Sequence, residues 1–437
     1  MRVHLKTLGC RLNEAELESW ARDFQQQGIS PSGSPDDADL LVINTCAVTE
    51  EAVKKSRKLL RRAQRDNPRA KLVVSGCYAS LNPEQAAADL GVDLVIPNTD
   101  KERLVEIAIR ELTLPTMPFT AMEPDDYSPL QRNRQRAFIK VQDGCRYRCS
   151  YCIVTLARGE ERSRPIPEII AEINALSEQG LQEIVLAGVH LGGYGSDRGS
   201  SLKELVQAVL RETDMPRIRL GSLEPWDLPE GFWSLFSNPR LMPHLHLPMQ
   251  SGADSVLRRM SRRCRSGEFL EMVEGARRQI PDFNVTTDII VGFPGETEDE
   301  WRQTLEFAER AAFGDIHIFA FSPRSGTKAA LLPNPVPREV KRRRSEELHA
   351  LAARLKRNRL QQQLGLSGPV LVEGDPRDTE RGRLWSGYLP NYLRVCFSSA
   401  EKLDNRIVQV RAKAIDGGVL LGSTEHKGSE SNHGDVA

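Results

Sequence analysis

DGCRYRCSYCIV, residues 143–154, decides how this chain is read. The chain has 437 residues and eight cysteines. Three of those cysteines, Cys145, Cys149 and Cys152, fall here with the spacing C-x3-C-x2-C. They follow an apolar run at 137–142 that reads as a strand. Three thiolates so close in sequence need only a tight loop to meet at one centre. Iron–sulfur clusters normally take four cysteines, so three leave one iron open to a non-protein ligand. A zinc site would need a fourth ligand, and neither a histidine nor a second C-x2-C lies nearby. Inert buried thiols are the remaining alternative, which the clustering of so rare a residue opposes.

Strand patterns recur downstream at 183–188, 217–222, 244–248, 284–293 and 315–321. Helical patterns lie between them at 167–179, 202–212, 268–279 and 298–312, and 338–363 reads as one long charged helix. Six β/α units fall short of the eight that close a full barrel, so the rest of the wall must come from elsewhere. Upstream, strands are expected at 3–8, 38–44, 71–75 and 93–97, with helices at 14–27, 49–66 and 83–90. The fold expected is α/β. An N-terminal open parallel β/α domain (1–112) and a linker (113–130) precede a central incomplete (β/α)6 barrel (131–361). A small C-terminal β-barrel (364–424) and a disordered tail (425–437) complete it.

Cys10, Cys46 and Cys77 each follow an expected N-terminal strand, in LKTLGC, LVINTC and LVVSGC. Open parallel sheets bind ligands at the carboxyl ends of their strands, so these three can face one another. That geometry repeats the pattern of three thiolates and an open metal position. Small core-packing cysteines are the alternative. Cys264 and Cys396 have no such company and read as structural.

Lys+Arg and Asp+Glu number 60 each. That balance excludes a histone-like polycation or an acidic tail protein, but a neutral sum conceals local patches. Residues 54–65 carry seven positive charges and no acid, 132–164 nine basic against three acidic residues, and 258–265 five more. Such density suits phosphate binding. Over 338–359 the charge reads as a solvated helix face. No apolar run approaches a membrane span, and 1–10 has no signal-peptide core, so a cytoplasmic protein with reduced thiols is expected.

C-x3-C-x2-C after the first barrel strand resembles the cluster motif of radical S-adenosylmethionine (SAM) enzymes. With the second trio, the chain resembles the tRNA and ribosomal-protein methylthiotransferases from Arg2 to Gly422. The matching stretches are TLGCRLNEAE (7–16), INTCAVT (43–49), SGCYA (75–79), DGCRYRCSYCIV (143–154) and ARGEERSR (157–164). LPMQSG (247–252), TTDIIVGFPGET (286–297) and GYLPNYLRV (387–395) complete them. Arg11-Leu12-Asn13 is similar to the branch acting on N6-threonylcarbamoyladenosine (t6A) at tRNA position 37. Thr155-Leu156 departs from the Pro-Tyr usual before Ala-Arg-Gly.

The resemblance implies a –SCH3 group inserted at C2 of the adenine, with two SAM molecules used. One donates a methyl group, and the other yields the radical that abstracts hydrogen. It further implies two 4Fe-4S clusters, the radical-generating one on Cys145, Cys149 and Cys152. The other, on Cys10, Cys46 and Cys77, is auxiliary, and its open iron would carry sulfur. Partners implied are a tRNA anticodon stem-loop bearing t6A37, an electron donor and a sulfur source. The C-terminal barrel would be a TRAM domain that grips RNA.

Gly188, Glu224 and Gly292, near strand ends, are candidate SAM contacts. His190 and His246 are weaker candidates as metal ligands, and Gln250 a further cavity residue. Tyr388, Tyr392 and Phe397 are candidates for stacking on RNA bases. No general acid or base is identifiable. Rival readings are the same chemistry on N6-isopentenyladenosine in tRNA, or on an aspartate of a small-subunit ribosomal protein. From another class, a non-catalytic metal-stabilised RNA-binding protein remains.

Overall fold

A computed structural model describes residues 1–88, 91–115, 135–379 and 382–425. Nearly all of the expected tail and of the expected linker lie outside them. The N-terminal sheet is parallel and five-stranded, formed by Arg2–Thr7, Ser30–Pro31, Leu40–Thr45, Lys71–Gly76 and Leu94–Val95. Arg2–Thr7, Leu40–Thr45 and Lys71–Gly76 are adjacent in it, so three successive carboxyl ends share one edge. Leu40–Thr45 is buried along its whole length, as a strand with helices on both faces must be. Helix Glu50–Asp66 starts where Thr49 accepts a hydrogen bond from the Ala52 amide at 3.1 Å, with two glutamates in its first turn.

The central region has six parallel strands in two groups of three. Arg136–Lys140, Glu183–Ala187 and Arg217–Leu220 form one group; His244–His246, Asn284–Val291 and Asp315–Ala320 form the other. Isolated bridges Ile218–Leu241 and Ser222–His246 join the groups, so the strands run in chain order. Helix Arg11–Gln26 of the N-terminal domain packs along the first strand, and helix Arg338–Gln361 along the last. These two helices flank the strands at which the series begins and ends.

Helix Arg338–Gln361 is not wholly the solvated face expected. Arg344 is buried, pairing with Glu296 at 2.8 Å and Glu298 at 2.9 Å. Glu296 is buried with it, while Glu298 stays largely exposed. Beyond this helix, five strands close a small barrel around Val370, Val372, Trp385, Val395 and Val410. Cys264 lies in the central core and Cys396 in a barrel strand, both away from the other cysteines.

Candidate active site

The Cys145–Cys152 loop is held from both sides. Gln142–Asp143 pairs antiparallel with Arg162–Ser163, and Gly144, at φ +74°, turns the chain into the loop. A Cβ on Gly144 would lie 1.8 Å from the Glu160 carbonyl oxygen, so only glycine fits. The Cys145 amide donates to Gly159 at 3.1 Å, and the Ser150 amide and hydroxyl donate to Met260 and Arg259 at 2.9 and 2.8 Å. Thr155, in place of the family's usual proline, donates its hydroxyl to the Tyr147 carbonyl at 2.9 Å and so closes the loop from within. Burial above all, with neighbouring thiols adding to it, pushes the Cys145 thiol up to about 12 and the Cys152 thiol to about 11. Metal binding to such a donor set must displace protons and so depends on pH.

Around this loop lies a cluster that sequence reasoning largely missed. His190 is fully buried between two carboxylates, Nδ1 on Glu161 and Nε2 on Asp227 at 2.6 Å. The Tyr147 hydroxyl also donates to Asp227, at 2.7 Å. Both ring nitrogens face carboxylate oxygens, and although burial lowers the His190 pKa, Asp227, Glu224 and Glu161 outweigh it and raise it. Glu224 sits 3.8 Å from His190 Nε2, and burial raises its pKa. Its Oε2 is shielded from solvent and accepts no hydrogen bond. Arg262 reaches Cys149 Sγ at 3.9 Å while its guanidinium lies 4.2 Å over the Trp226 ring.

The N-terminal trio sits at the three adjacent strand ends. Gly9, at φ +122°, brings its loop against Cys46, where a Cβ would lie 2.9 Å from Cys46 Cβ. Cys46 and Cys77 are buried, while Cys10 is exposed. Burial raises the Cys10 and Cys46 thiols, and each of the trio's other thiols raises Cys46 further. Asn98 hydrogen-bonds the Ala157 carbonyl at 2.7 Å and reaches Cys77 Sγ at 3.9 Å.

Arg158 ties the two trios together. Its guanidinium donates to Glu16 at 2.8 Å, to Asp143 at 3.0 Å and to Asn13 at 2.7 Å. Lys101 joins from the N-terminal domain, 2.5 Å from Glu16 and 2.8 Å from Asp143, and Lys140 lies 2.9 Å from Asp143. All five charged side chains are nearly solvent-free. Asn13 stands three residues after Cys10 and Asp143 two before Cys145. One buried network therefore sets one cysteine loop against the other.

Residues 2–97 match the family described as "Uncharacterized protein family UPF0004", and residues 139–308 match the radical SAM superfamily. The chain is 35% identical to the threonylcarbamoyladenosine tRNA methylthiotransferase MtaB of Bacillus subtilis, covering 94% of this chain and 93% of that one. Identity to the MtaB of Thermotoga maritima is 38%, covering 85% and 86%. The chain belongs to the radical SAM methylthiotransferase family, in its MtaB branch.

A tRNA-2-methylthio-N(6)-dimethylallyladenosine synthase of Akkermansia muciniphila is a further relative, at 32% identity over 96% of this chain and 98% of its own. The fold is shared with a cobalamin- and cluster-bound radical SAM methyltransferase, TsrM, from Kitasatospora setae. Its TM-score is 0.56 and its identity 15%, over 76% of this chain and 77% of that one. Membership in the radical SAM methylthiotransferases brings SAM and a 4Fe-4S cluster to this enzyme.

In this methylthiotransferase Gly188 makes room for a protein side chain. A Cβ there would lie 2.9 Å from Gln142 Oε1, which accepts the His190 amide at 2.9 Å. The Gln142 amide in turn donates to the carbonyls of Asp143 and Gly144, at 2.9 and 2.8 Å. Gly292 donates its amide to Glu296 at 2.9 Å and lies against the Lys341 stem. Among the described residues Glu224 is the SAM candidate that shares the cysteine loop's electrostatics.

Three aromatic expectations fail. Phe397 is 1% exposed, in the barrel core. Tyr388 and Tyr392 stack on each other at 4.8 Å, and His244 stacks on Tyr392 at 4.8 Å. Arg136 lies 5.1 Å over Tyr388, and Arg219 4.7 Å over Tyr392. Their faces are already taken because the 388–392 turn docks the small barrel onto the central strands. There Arg217 and Arg219 cap the carbonyls of Tyr388, Leu389 and Pro390 and pair with buried Glu183.

Proposed function

We propose that this enzyme inserts a methylthio group at C2 of t6A37 in tRNA, in the cytoplasm, using two 4Fe-4S clusters. The observation that carries the reading is the pair of cysteine trios joined through Arg158. Cys145, Cys149 and Cys152 would hold the cluster that supplies the electron for SAM cleavage, and Cys10, Cys46 and Cys77 would hold a second one offering an open iron for sulfur. The names of the MtaB relatives support t6A as the substrate.

The chain's own residues supply position and charge. Glu224 Oε2, which accepts no hydrogen bond and has His190 Nε2 3.8 Å away, suits the SAM ammonium, whereas the open sides of Gly188 and Gly292 are filled by Gln142 and Lys341. Arg158 places positive charge beside Cys10 and Cys77 and offsets part of what burial does at Cys10. The exposed face of Glu50–Asp66, with Lys54, Lys58, Arg61 and Arg65, suits the stem-loop's phosphates. In the TRAM-like barrel, with Tyr388 and Tyr392 occupied, exposed Arg394, Arg411 and Lys413 take that part. The barrel of six β/α units would hold the reacting groups away from water.

Anaerobic reconstitution tests the two-cluster reading. About eight irons per chain are expected, four for each cluster, with reductive cleavage of SAM to 5′-deoxyadenosine. Cys145→Ala should abolish cleavage, whereas Cys46→Ala should spare cleavage and stop thiolation. Stoichiometric zinc without cleavage would replace this reading with that of a metal-stabilised RNA-binding protein.

A further inference from the structure

Arg11 is the residue after Cys10 and the first of helix Arg11–Gln26, yet it reaches out of its own domain. Its guanidinium lies 6.0 Å over Phe138 of the first central strand and 5.8 Å over Tyr392 of the C-terminal barrel. A long hydrogen bond to the Tyr392 hydroxyl, 3.4 Å, is its one polar side-chain contact among the described residues. No carboxylate pairs with it there. Guanidinium presents five donors in a planar fork, so most of this group's capacity is unspent.

The fork faces a cavity of about 330 Å³ to which all three domains contribute, with His246, Asp315, His317 and Lys356 in its wall. The one acid of that wall, Asp315, and Asp288 behind its two histidines are already committed. Asp315 pairs with Lys356 at 2.7 Å. Asp288 is shared by His246 Nε2 at 3.1 Å and His317 Nδ1 at 3.2 Å. His246 is fixed in turn by Thr286, 2.9 Å from its Nδ1. What remains uncompensated in the cavity is positive, and a half-buried cation without a counter-ion is costly unless a ligand supplies the anion.

The geometry points to Arg11 as a specificity residue that receives the carboxylate of an amino-acid substituent on the target adenosine, with His317 as the second wall of that subsite. This rests on the t6A reading above and deepens it. Threonylcarbamoyl carries a carboxylate at its free end, whereas an isopentenyl group offers nothing for a guanidinium to bind. A planar carboxylate matches the Arg11 fork in two parallel hydrogen bonds, and the aromatic rings beneath hold the fork flat. The position beside Cys10 links recognition of the substituent to the N-terminal cysteine trio.

The test uses anaerobically reconstituted enzyme with SAM and three synthetic anticodon stem-loops, carrying t6A37, its methyl ester, or unmodified A37. Affinity is read by fluorescence anisotropy. The wild type is expected to prefer t6A over the ester by about tenfold or more, as a charge-assisted pair would give. Arg11→Gln should bring t6A down to the affinity of the ester and leave unmodified A37 within about twofold. Arg11→Lys, which keeps charge but loses the fork, should fall between.

A parallel loss on all three RNAs would make Arg11 a backbone-phosphate contact and overturn the inference. So would an Arg11→Gln enzyme that still separates acid from ester. In either case the t6A reading stands. A wild type with no preference for t6A over A37 would remove both. His317→Asn, at a residue remote from the cysteines, should narrow the acid-to-ester ratio in the same direction. It decides the matter if Arg11→Gln disturbs iron content; an unchanged ratio there would then overturn the inference.

Discussion

Replacing Arg158 by methionine removes the cation that joins the two cysteine loops while filling most of its volume. Glu16 and Asp143 would keep Lys101 and Lys140, but the Asn13 carboxamide would lose its partner at 2.7 Å, and the two carboxylates theirs at 2.8 and 3.0 Å. Losing three buried hydrogen bonds together costs about 3–5 kcal/mol, at roughly 1–2 kcal/mol each, because the acceptors left behind stay desolvated. For a unit of the size of the central domain each kcal/mol moves the melting temperature by about 2–4 °C, so a fall of roughly 6–20 °C is expected. Differential scanning fluorimetry of the metal-free chain reads it directly, free of any cluster contribution. Arg158→Lys keeps the charge but cannot span three acceptors, and should fall between. If Arg158→Met melts within about 2 °C of the wild type, the network does not hold the domains, and the account of how the trios are set is wrong.

Other consequences follow from the same geometry. For Glu16 and Asp143 burial acts to raise the pKa, but Arg158, Lys101 and Lys140 outweigh it and hold both below the ordinary carboxylate range. Their stabilisation is thus complete above the unfolded value near pH 4 and lost as pH falls below it. Melting temperature should drop steeply from about pH 5 downward, and Glu16→Gln should flatten that drop; equal slopes would contradict it. Glu224→Gln should weaken SAM binding about tenfold or more by equilibrium dialysis, since a carboxylate facing an ammonium would be lost; unchanged affinity would take Glu224 out of the SAM site. Exchanging Lys54, Lys58 and Arg61 for glutamine should reduce the slope of log affinity against log salt by about 2–3 for a tRNA stem-loop. An unaltered slope would place the RNA elsewhere.

The cysteine trios were legible in sequence because the residue is rare and each copy stands at a strand's end, a position that strand periodicity alone locates. The six central strands were legible for the same reason, their apolar runs being bounded by turn residues. Arg158 was not. Glu16, Lys101, Lys140, Asp143 and Arg158 are scattered over the chain, look like ordinary surface charges, and become partners only when two domains dock. Tyr388 and Tyr392 misled for a related reason. An aromatic on a small barrel has the same pattern whether its face meets a base or another domain, and here it meets Arg136, Arg219 and His244. Glu224 was singled out by its position after a strand, but the His190, Glu161 and Asp227 cluster beside it required the fold. The one local sign was histidine closing the apolar run LAGVH, residues 186–190.

The most direct test of the central claim is nucleoside analysis by mass spectrometry of t6A-bearing tRNA incubated anaerobically with the reconstituted enzyme, SAM, a reductant and sulfide. The account predicts conversion of t6A to its 2-methylthio derivative, with Cys46→Ala cleaving SAM but leaving t6A intact. Recovery of unaltered t6A from the wild type, beside methylthiolation of an N6-isopentenyladenosine tRNA in the same reaction, would contradict it.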